Sequence, residues 1–146
     1  MKRRGPLESS IRSLSQMLRI PFTVKMRMGV YTSQPCAHEL VSKCRDWGVS
    51  MVTVHGRSRE QRYQKLADWD YVGKCVKNAS PMPIFGNGDI LSYEDYEKDL
   101  EMSGVSGVMI ARGTISASYL CEVLIGQTPT FLFSRCINKT LDLYRN

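Results

Sequence analysis

The chain has 146 residues, with 20 lysines and arginines against 14 aspartates and glutamates, for a net charge of +6. That length suits one core and is short for the large α/β barrels that run to roughly 250 residues. The positive excess suits a polyanionic partner such as nucleic acid but also occurs in ordinary soluble proteins; the five cysteines, Cys36, Cys44, Cys75, Cys121 and Cys136, contain no C-x-x-C pair, which suggests neither a disulfide framework nor a zinc site and reads as reduced thiols in a cytosolic or nuclear protein.

The opening "MKRRGPLESSIRSL" starts basic like a secretory signal, but Glu8, Ser9, Ser10 and Arg12 interrupt any apolar stretch. No run approaches the roughly 18 apolar residues of a membrane span. A first helix carries Leu7, Ile11, Leu14 and Leu18, and the strand "FTVKM" starts at Phe22. Next comes a helix with Pro35 in its first turn, apolar positions at Ala37, Leu40, Val41, Cys44 and Trp47, and Gly48 to close it. The strand "MVTVHG" follows from Met51. Asp68 caps a helix bearing Trp69, Val72, Cys75 and Val76, the strand "MPIFGN" runs from Met82, Ser92 with Asp95 forms a capping box for a helix that Gly104 ends, and "GVMIARG" from Gly107 is the last strand.

The four strand runs are nearly continuously apolar, which predicts burial on both faces of a parallel sheet. Strands separated by helices require right-handed crossovers, and functional groups then gather at the strands' C-terminal ends. Lys25 and Arg27 stand at the end of the first run, His55 and Arg57 at the second, Asn87 and Asp89 at the third, and Arg112 at the fourth. After Gly113 the texture changes, and residues 114–146 receive no role from their pattern.

Each strand-end residue supports two readings. Lys25 is a solvated surface cation, or a point charge beside an anionic or electron-rich ligand. His55 is a core histidine bonded to backbone, or a donor to a ring carbonyl or phosphate. Gly86-Asn87-Gly88 is a plain turn, or a turn whose missing side chains let a phosphate approach backbone N–H groups. Arg112-Gly113 is a surface pair or a phosphate fork. In "HGRSREQRYQKLADW", Arg57, Arg59, Arg62 and Lys65 surround Tyr63, so cations could meet phosphates while the ring stacks on a base; the bland reading is a solvated loop with Glu60 as internal partner. Neither G-x-G-x-x-G nor G-x-x-x-x-G-K occurs in the chain, so a Rossmann fingerprint and a P-loop have no support.

The strings "VKMRMG", "VTVHGRSREQRYQKLADWDY", "MPIFGNGDILSYED" and "GVMIARG" together resemble the tRNA-dihydrouridine synthases, closest to the eukaryotic branch that acts on the tRNA variable loop, over roughly residues 5 to 113. The resemblance implies an FMN enzyme on an eight-stranded (β/α)8 barrel that reduces uridine in tRNA, with NADPH as hydride source. Carried over by motif, Lys25 and His55 face the flavin ring, while Asn87, Gly88, Asp89, Ala111 and Arg112 cradle the FMN phosphate and its chain; Arg57, Arg59, Arg62, Tyr63 and Lys65 face the RNA. Lys25 would then stabilise negative charge on the reduced flavin.

Departures from the family pattern are equally specific. The Asn-x-Gly-Cys-Pro setting of the family's proton-donating cysteine has no match, and Cys36 and Cys44 fall on a helix behind the lysine strand. No catalytic residue is therefore carried over. The family's Pro-Trp segment after "ARG" has no counterpart, since both tryptophans, Trp47 and Trp69, lie earlier. The expectation is thus the C-terminal half of an FMN-binding barrel in residues 1–113, α/β with four parallel strands, followed by a divergent tail in 114–146. A full-length protein would supply the missing first half, and this chain alone would be inactive. Two rivals stay open: another FMN- or phosphate-binding barrel, and a non-catalytic RNA-binding or interaction module.

Overall fold

A computed structural model of the chain describes residues 4–113. Helix and strand alternate as α1 (Arg4–Met17), β1 (Thr23–Gly29), α2 (Ala37–Asp46), β2 (Met51–Ser58), α3 (Trp69–Ala79), β3 (Ile84–Asn87), α4 (Tyr93–Ser103) and β4 (Gly107–Met109). The tail expected in 114–146 lies outside the described residues.

Local chemistry sets the helix ends. The Asp68 carboxylate accepts the Tyr71 N–H at 2.8 Å, satisfying one of the donors that the first turn of α3 leaves open. At α4 the Ser92 hydroxyl accepts the Asp95 N–H at 3.1 Å while the Asp95 carboxylate accepts the Ser92 N–H at 3.0 Å, a reciprocal capping box. Gly104 closes α4 at φ 65° and Gly48 follows α2 at φ 88°, both left-handed. Pro35 departs from expectation: α2 begins at Ala37, behind an N-cap at Cys36 that makes no side-chain hydrogen bond, so the proline precedes the helix.

The strands form one sheet in the order β1-β2-β3-β4, every neighbouring pair parallel. Register places Val24, Val52 and Ile84 in one row and Arg27, His55, Asn87 and Met109 in another. Because successive side chains alternate faces, the valine row and Val54 share one face, and the Arg27 row shares the other with Lys25, Thr53 and Phe85. The first face packs under the helices: Val52, Val54 and Ile84 are fully buried with Val41 and Cys44 of α2 and Val72 and Cys75 of α3. Fully burying each valine or isoleucine stabilises by about 1.5–3 kcal/mol, so this layer holds the sheet to its helices.

Burial on both faces holds for β2, which is buried from Val52 to Ser58, but not for β1, where exposed and half-buried residues alternate. The reason is position. β1 and β4 are the outer strands of the sheet, each with one strand neighbour among the described residues. β1 and β2 also run further than their apolar stretches, to Gly29 and Ser58, with a register shift between Arg27 and Gly29. Arg27 and Arg57, expected just past their apolar runs, therefore lie inside β1 and β2, in their C-terminal halves. In α1 only Ile11 is buried deeply and Leu14 is 43% exposed, while Leu18, expected on this helix, lies just past its end at 41% exposure.

Candidate functional site

On the face opposite the helices, the C-terminal parts of the strands and the turns after β3 and β4 enclose a cleft of about 290 Å³. All seven residues expected at a cofactor, Lys25, His55, Asn87, Gly88, Asp89, Ala111 and Arg112, border it. Of the five expected to face RNA, Arg57 and Tyr63 border it as well, whereas Arg59, Arg62 and Lys65 do not. Arg27, named with Lys25 at the end of the first run but given no part in the cofactor site, borders the cleft too, as does an apolar side formed by Ile90, Leu91, Met109 and Ile110 that the sequence reading did not name. Arg27 reaches the cleft because it lies two residues after Lys25 and so on the same face.

Asn87 ties the sheet together across the cleft. Its Oδ1 accepts from Lys25 Nζ at 3.0 Å, and its Nδ2 donates to the Met109 carbonyl at 2.6 Å, linking β1 to β4. An amide can accept at one atom and donate at the other, which a carboxylate cannot do. The consequence is a fixed ammonium. Desolvation, and then the charge of Arg27, lower the Lys25 pKa from the ordinary lysine value.

His55 is buried, and the Arg57 guanidinium lies 3.4 Å from its Nε2. A guanidinium only donates, so Nε2 is the acceptor and the imidazole proton belongs on Nδ1. Burial first, then the charges of Arg27, Lys25 and Arg57, push the His55 pKa down to about 4 against a smaller upward pull from Asp89. At neutral pH the ring is therefore neutral, able to donate one hydrogen bond without adding a charge.

Arg57 corrects an expectation. Only 2% exposed, it donates from Nε to the Lys65 carbonyl at 2.6 Å and from Nη2 to Asp89 at 2.5 Å. These bonds occupy it inside the protein, anchoring the loop after β2, and leave it no outer surface to offer RNA. Asp89, in the left-handed region at φ 57°, also accepts the Ala67 N–H at 2.7 Å and meets Arg112 Nη2 at 3.3 Å. Desolvation pushes the Asp89 carboxyl up, but the Arg57 and Ala67 hydrogen bonds and the two guanidinium charges outweigh it, so its pKa falls below the ordinary value. Arg112 is 56% exposed and its Cζ stands 4.8 Å from the centroid of the Tyr63 ring. Four cations, Lys25, Arg27, Arg57 and Arg112, thus border the cleft with Asp89 as the carboxylate among them. The balance favours an anion.

The glycines answer to the protein's own packing. A Cβ on Gly86 would lie 2.0 Å from Cζ3 of Trp69, and one on Gly88, whose φ is 126°, would lie 2.7 Å from the Ala67 Cβ and 3.1 Å from the His55 ring. The indole N–H of Trp69 donates to the Gly88 carbonyl at 3.1 Å. Trp69, Ala67 and His55 thus take the Cβ positions of Gly86 and Gly88, so the protein's own packing already requires glycine there, whatever binds in the cleft.

Beside the cleft, Arg59, Arg62 and Lys65 are exposed on the loop between β2 and α3. The loop is braced from within: Gln61 Oε1 accepts the Ser58 N–H at 2.8 Å and the Ser58 hydroxyl accepts the Gln61 N–H at 3.1 Å. Glu60 accepts the Thr32 N–H at 3.1 Å rather than pairing with a loop cation. No ion pair of Arg59, Arg62 or Lys65 occurs among the described residues. On the helix side, burial pushes the Cys44 and Cys75 thiols up to about 11 and about 12, which makes them poor nucleophiles at neutral pH. Among the described residues no helix is long and apolar enough to cross a membrane.

The Dihydrouridine synthase (Dus) family profile matches residues 1–134. The chain is 52% identical over 120 residues to the "tRNA-dihydrouridine(47) synthase [NAD(P)(+)]-like" proteins of Xenopus tropicalis and of Homo sapiens, covering 82% of this chain and 19% and 18% of those proteins. It is 47% identical over 106 residues to the "tRNA-dihydrouridine(47) synthase [NAD(P)(+)]" of Cryptococcus neoformans, covering 66% of this chain and 15% of that protein. The chain thus spans about a fifth of the length, or less, of these curated relatives. On this evidence the chain belongs to the dihydrouridine synthase family, and its four parallel strands are part of that family's (β/α)8 barrel.

Proposed function

We propose that this chain carries the phosphate-side wall of an FMN site together with an RNA-facing loop, both serving the reduction of uridine to dihydrouridine in tRNA with NADPH as hydride source. The observation that carries the reading is a single surface on which an anion-favouring, partly apolar cleft adjoins three exposed cations, Arg59, Arg62 and Lys65, that make no ion pair among the described residues. The donor set suits FMN: Arg112 is an exposed guanidinium for a phosphate, Lys25 a braced charge and His55 a neutral donor for a ring carbonyl, and Ile90 and Met109 offer apolar contact. A volume near 290 Å³ is at the low end of the roughly 300–1,000 Å³ of small-molecule sites, which suits one wall of such a site.

FMN, when bound, supplies the hydride that saturates the uracil ring. The residues of this chain bind and orient. Lys25 adds positive charge held in place by Asn87, favouring an anionic ring. His55, kept uncharged by burial and its cationic neighbours, donates without a net charge change. Arg59, Arg62 and Lys65 attract the RNA backbone, whose affinity then depends on salt. The family's cysteine setting has no match among these residues, so the proton that completes uracil reduction is assigned to none of them, and FMN binding to this wall is expected to be weak.

The test crosses two variants with two ligands. Arg112→Ala should weaken FMN binding and leave tRNA binding close to wild type, whereas Arg62→Ala should do the reverse. Loss of a charge-assisted phosphate contact costs about 1.5–3 kcal/mol, or roughly 10- to 100-fold in FMN affinity. Equal FMN affinity in the two variants would defeat the reading.

A further inference from the structure

We propose that Tyr63 is a positioning residue for Arg112, holding its guanidinium at the mouth of the cleft where an anion enters; the inference rests on the FMN reading above. Asp89 alone cannot hold Arg112. One carboxylate oxygen of Asp89 already accepts from Arg57 at 2.5 Å and from the Ala67 N–H at 2.7 Å, and the other meets Arg112 only at 3.3 Å. The Asp89 charge is matched by Arg57, a guanidinium whose side chain is 3% exposed. Arg112 is the surplus cation, more than half exposed, and a long side chain so weakly paired loses little by swinging away.

The second contact is the ring. The Tyr63 ring centroid lies 4.8 Å from the Arg112 Cζ and 5.8 Å from the Arg57 Cζ, so one aromatic ring stands within cation–π range of both guanidinium groups at the cleft's border. At 64% exposure the ring contributes little to the core. Its own place is fixed from either side, by the Ser58 and Gln61 hydrogen bonds before it and by the Arg57 bond to the Lys65 carbonyl after it. A braced ring presenting its π-face restricts the arginine without neutralising it, and the charge remains available to an incoming phosphate. Tyr63, read from sequence as a platform for an RNA base, serves the cleft instead.

FMN and riboflavin, which lacks the phosphate, are titrated against the full chain as wild type, Tyr63→Leu, Tyr63→Phe, Arg112→Ala and the double variant Tyr63→Leu/Arg112→Ala. Tyr63→Leu should weaken FMN binding about two- to five-fold and Tyr63→Phe should restore it, because the ring's π-face and not its hydroxyl holds the guanidinium. Riboflavin affinity should be the same in all five proteins, and Tyr63→Leu should add nothing once Arg112 is alanine. A loss for riboflavin equal to that for FMN, or an undiminished Tyr63→Leu effect in the Arg112→Ala background, overturns the inference. Without any ligand, the Arg112 Nε–H resonance should move in Tyr63→Leu and stay in Tyr63→Phe; an unmoved resonance overturns the positioning role and leaves the FMN reading standing. Wild-type protein that fails to distinguish FMN from riboflavin overturns the FMN reading itself, and this inference with it.

Discussion

Replacing Asp89 by asparagine separates the two arginines that share it. The Arg57 side chain is 3% exposed and Asp89 17%, so Asp89→Asn leaves a nearly dry guanidinium without its counter-charge. Breaking a buried pair costs about 3–5 kcal/mol. Here the low end applies, about 3 kcal/mol, because Asp89 is partly wet and Arg57 keeps the Lys65 carbonyl and His55 Nε2 as acceptors. Arg112→Ala removes the other partner, but that pair is 3.3 Å long with a half-exposed guanidinium, and should change stability by less than about 1 kcal/mol. Urea unfolding followed by tryptophan fluorescence reads both. With a slope of about 2 kcal/mol/M, the midpoint should fall by about 1.5 M in Asp89→Asn and by less than about 0.5 M in Arg112→Ala. Similar shifts in the two variants would refute the division of Asp89 into one structural and one available partner.

Acidification should destabilise the fold in a defined window. The folded His55 pKa of about 4 lies below the ordinary 6.5, so between these values the unfolded state binds more protons; the stabilisation is complete above pH 6.5 and is lost as pH falls towards 4, amounting to about 3 kcal/mol. Urea midpoints at pH 7 and pH 4.5 check it, and His55→Gln should flatten the difference; the Asp89 contribution, with its pKa lowered, disappears only below the carboxylate range. Gly86→Ala drives a methyl into the Trp69 ring and should cost at least about 1–3 kcal/mol, seen as a lower melting temperature and a changed tryptophan emission. For the loop, Arg59→Ala and Arg62→Ala should each flatten the salt dependence of RNA binding, by about 0.9 in the logarithmic slope for duplex or about 0.7 for single strands, and an unchanged slope returns the loop to solvated surface.

Much of the scaffold was legible because it depends on neighbours in sequence. Asp68, the Ser92–Asp95 pair, Gly48 and Gly104 act within one turn of the chain, and the alternation of helix and strand dictated a parallel sheet. The grouping of Lys25, His55, Asn87 and Arg112 followed from the same topology. What sequence could not supply was what each side chain meets across the fold. Arg57 reads as one cation in a basic string until Asp89, 32 residues later, is placed against it. Gly86 reads as a turn glycine, and only tertiary packing puts the Trp69 ring where its Cβ would be. β1 and β2 run past the expected "FTVKM" and "MVTVHG", to Gly29 and Ser58, for a related reason: on a face left uncovered, β1 can continue through Arg27 without burying it.

The flavin phosphate is proposed to bind in the cleft at the C-terminal ends of the four strands. Amide chemical shifts of the isotope-labelled chain, followed during titration with FMN and separately with riboflavin, test it residue by residue. FMN should perturb Asn87, Gly88, Asp89, Ala111 and Arg112, riboflavin should perturb the Arg112 region far less, and Val41, Cys44, Val72 and Cys75 under the helices should stay still with either ligand. Perturbations centred on those helix-side residues, or the same pattern at Arg112 with both ligands, would contradict the account.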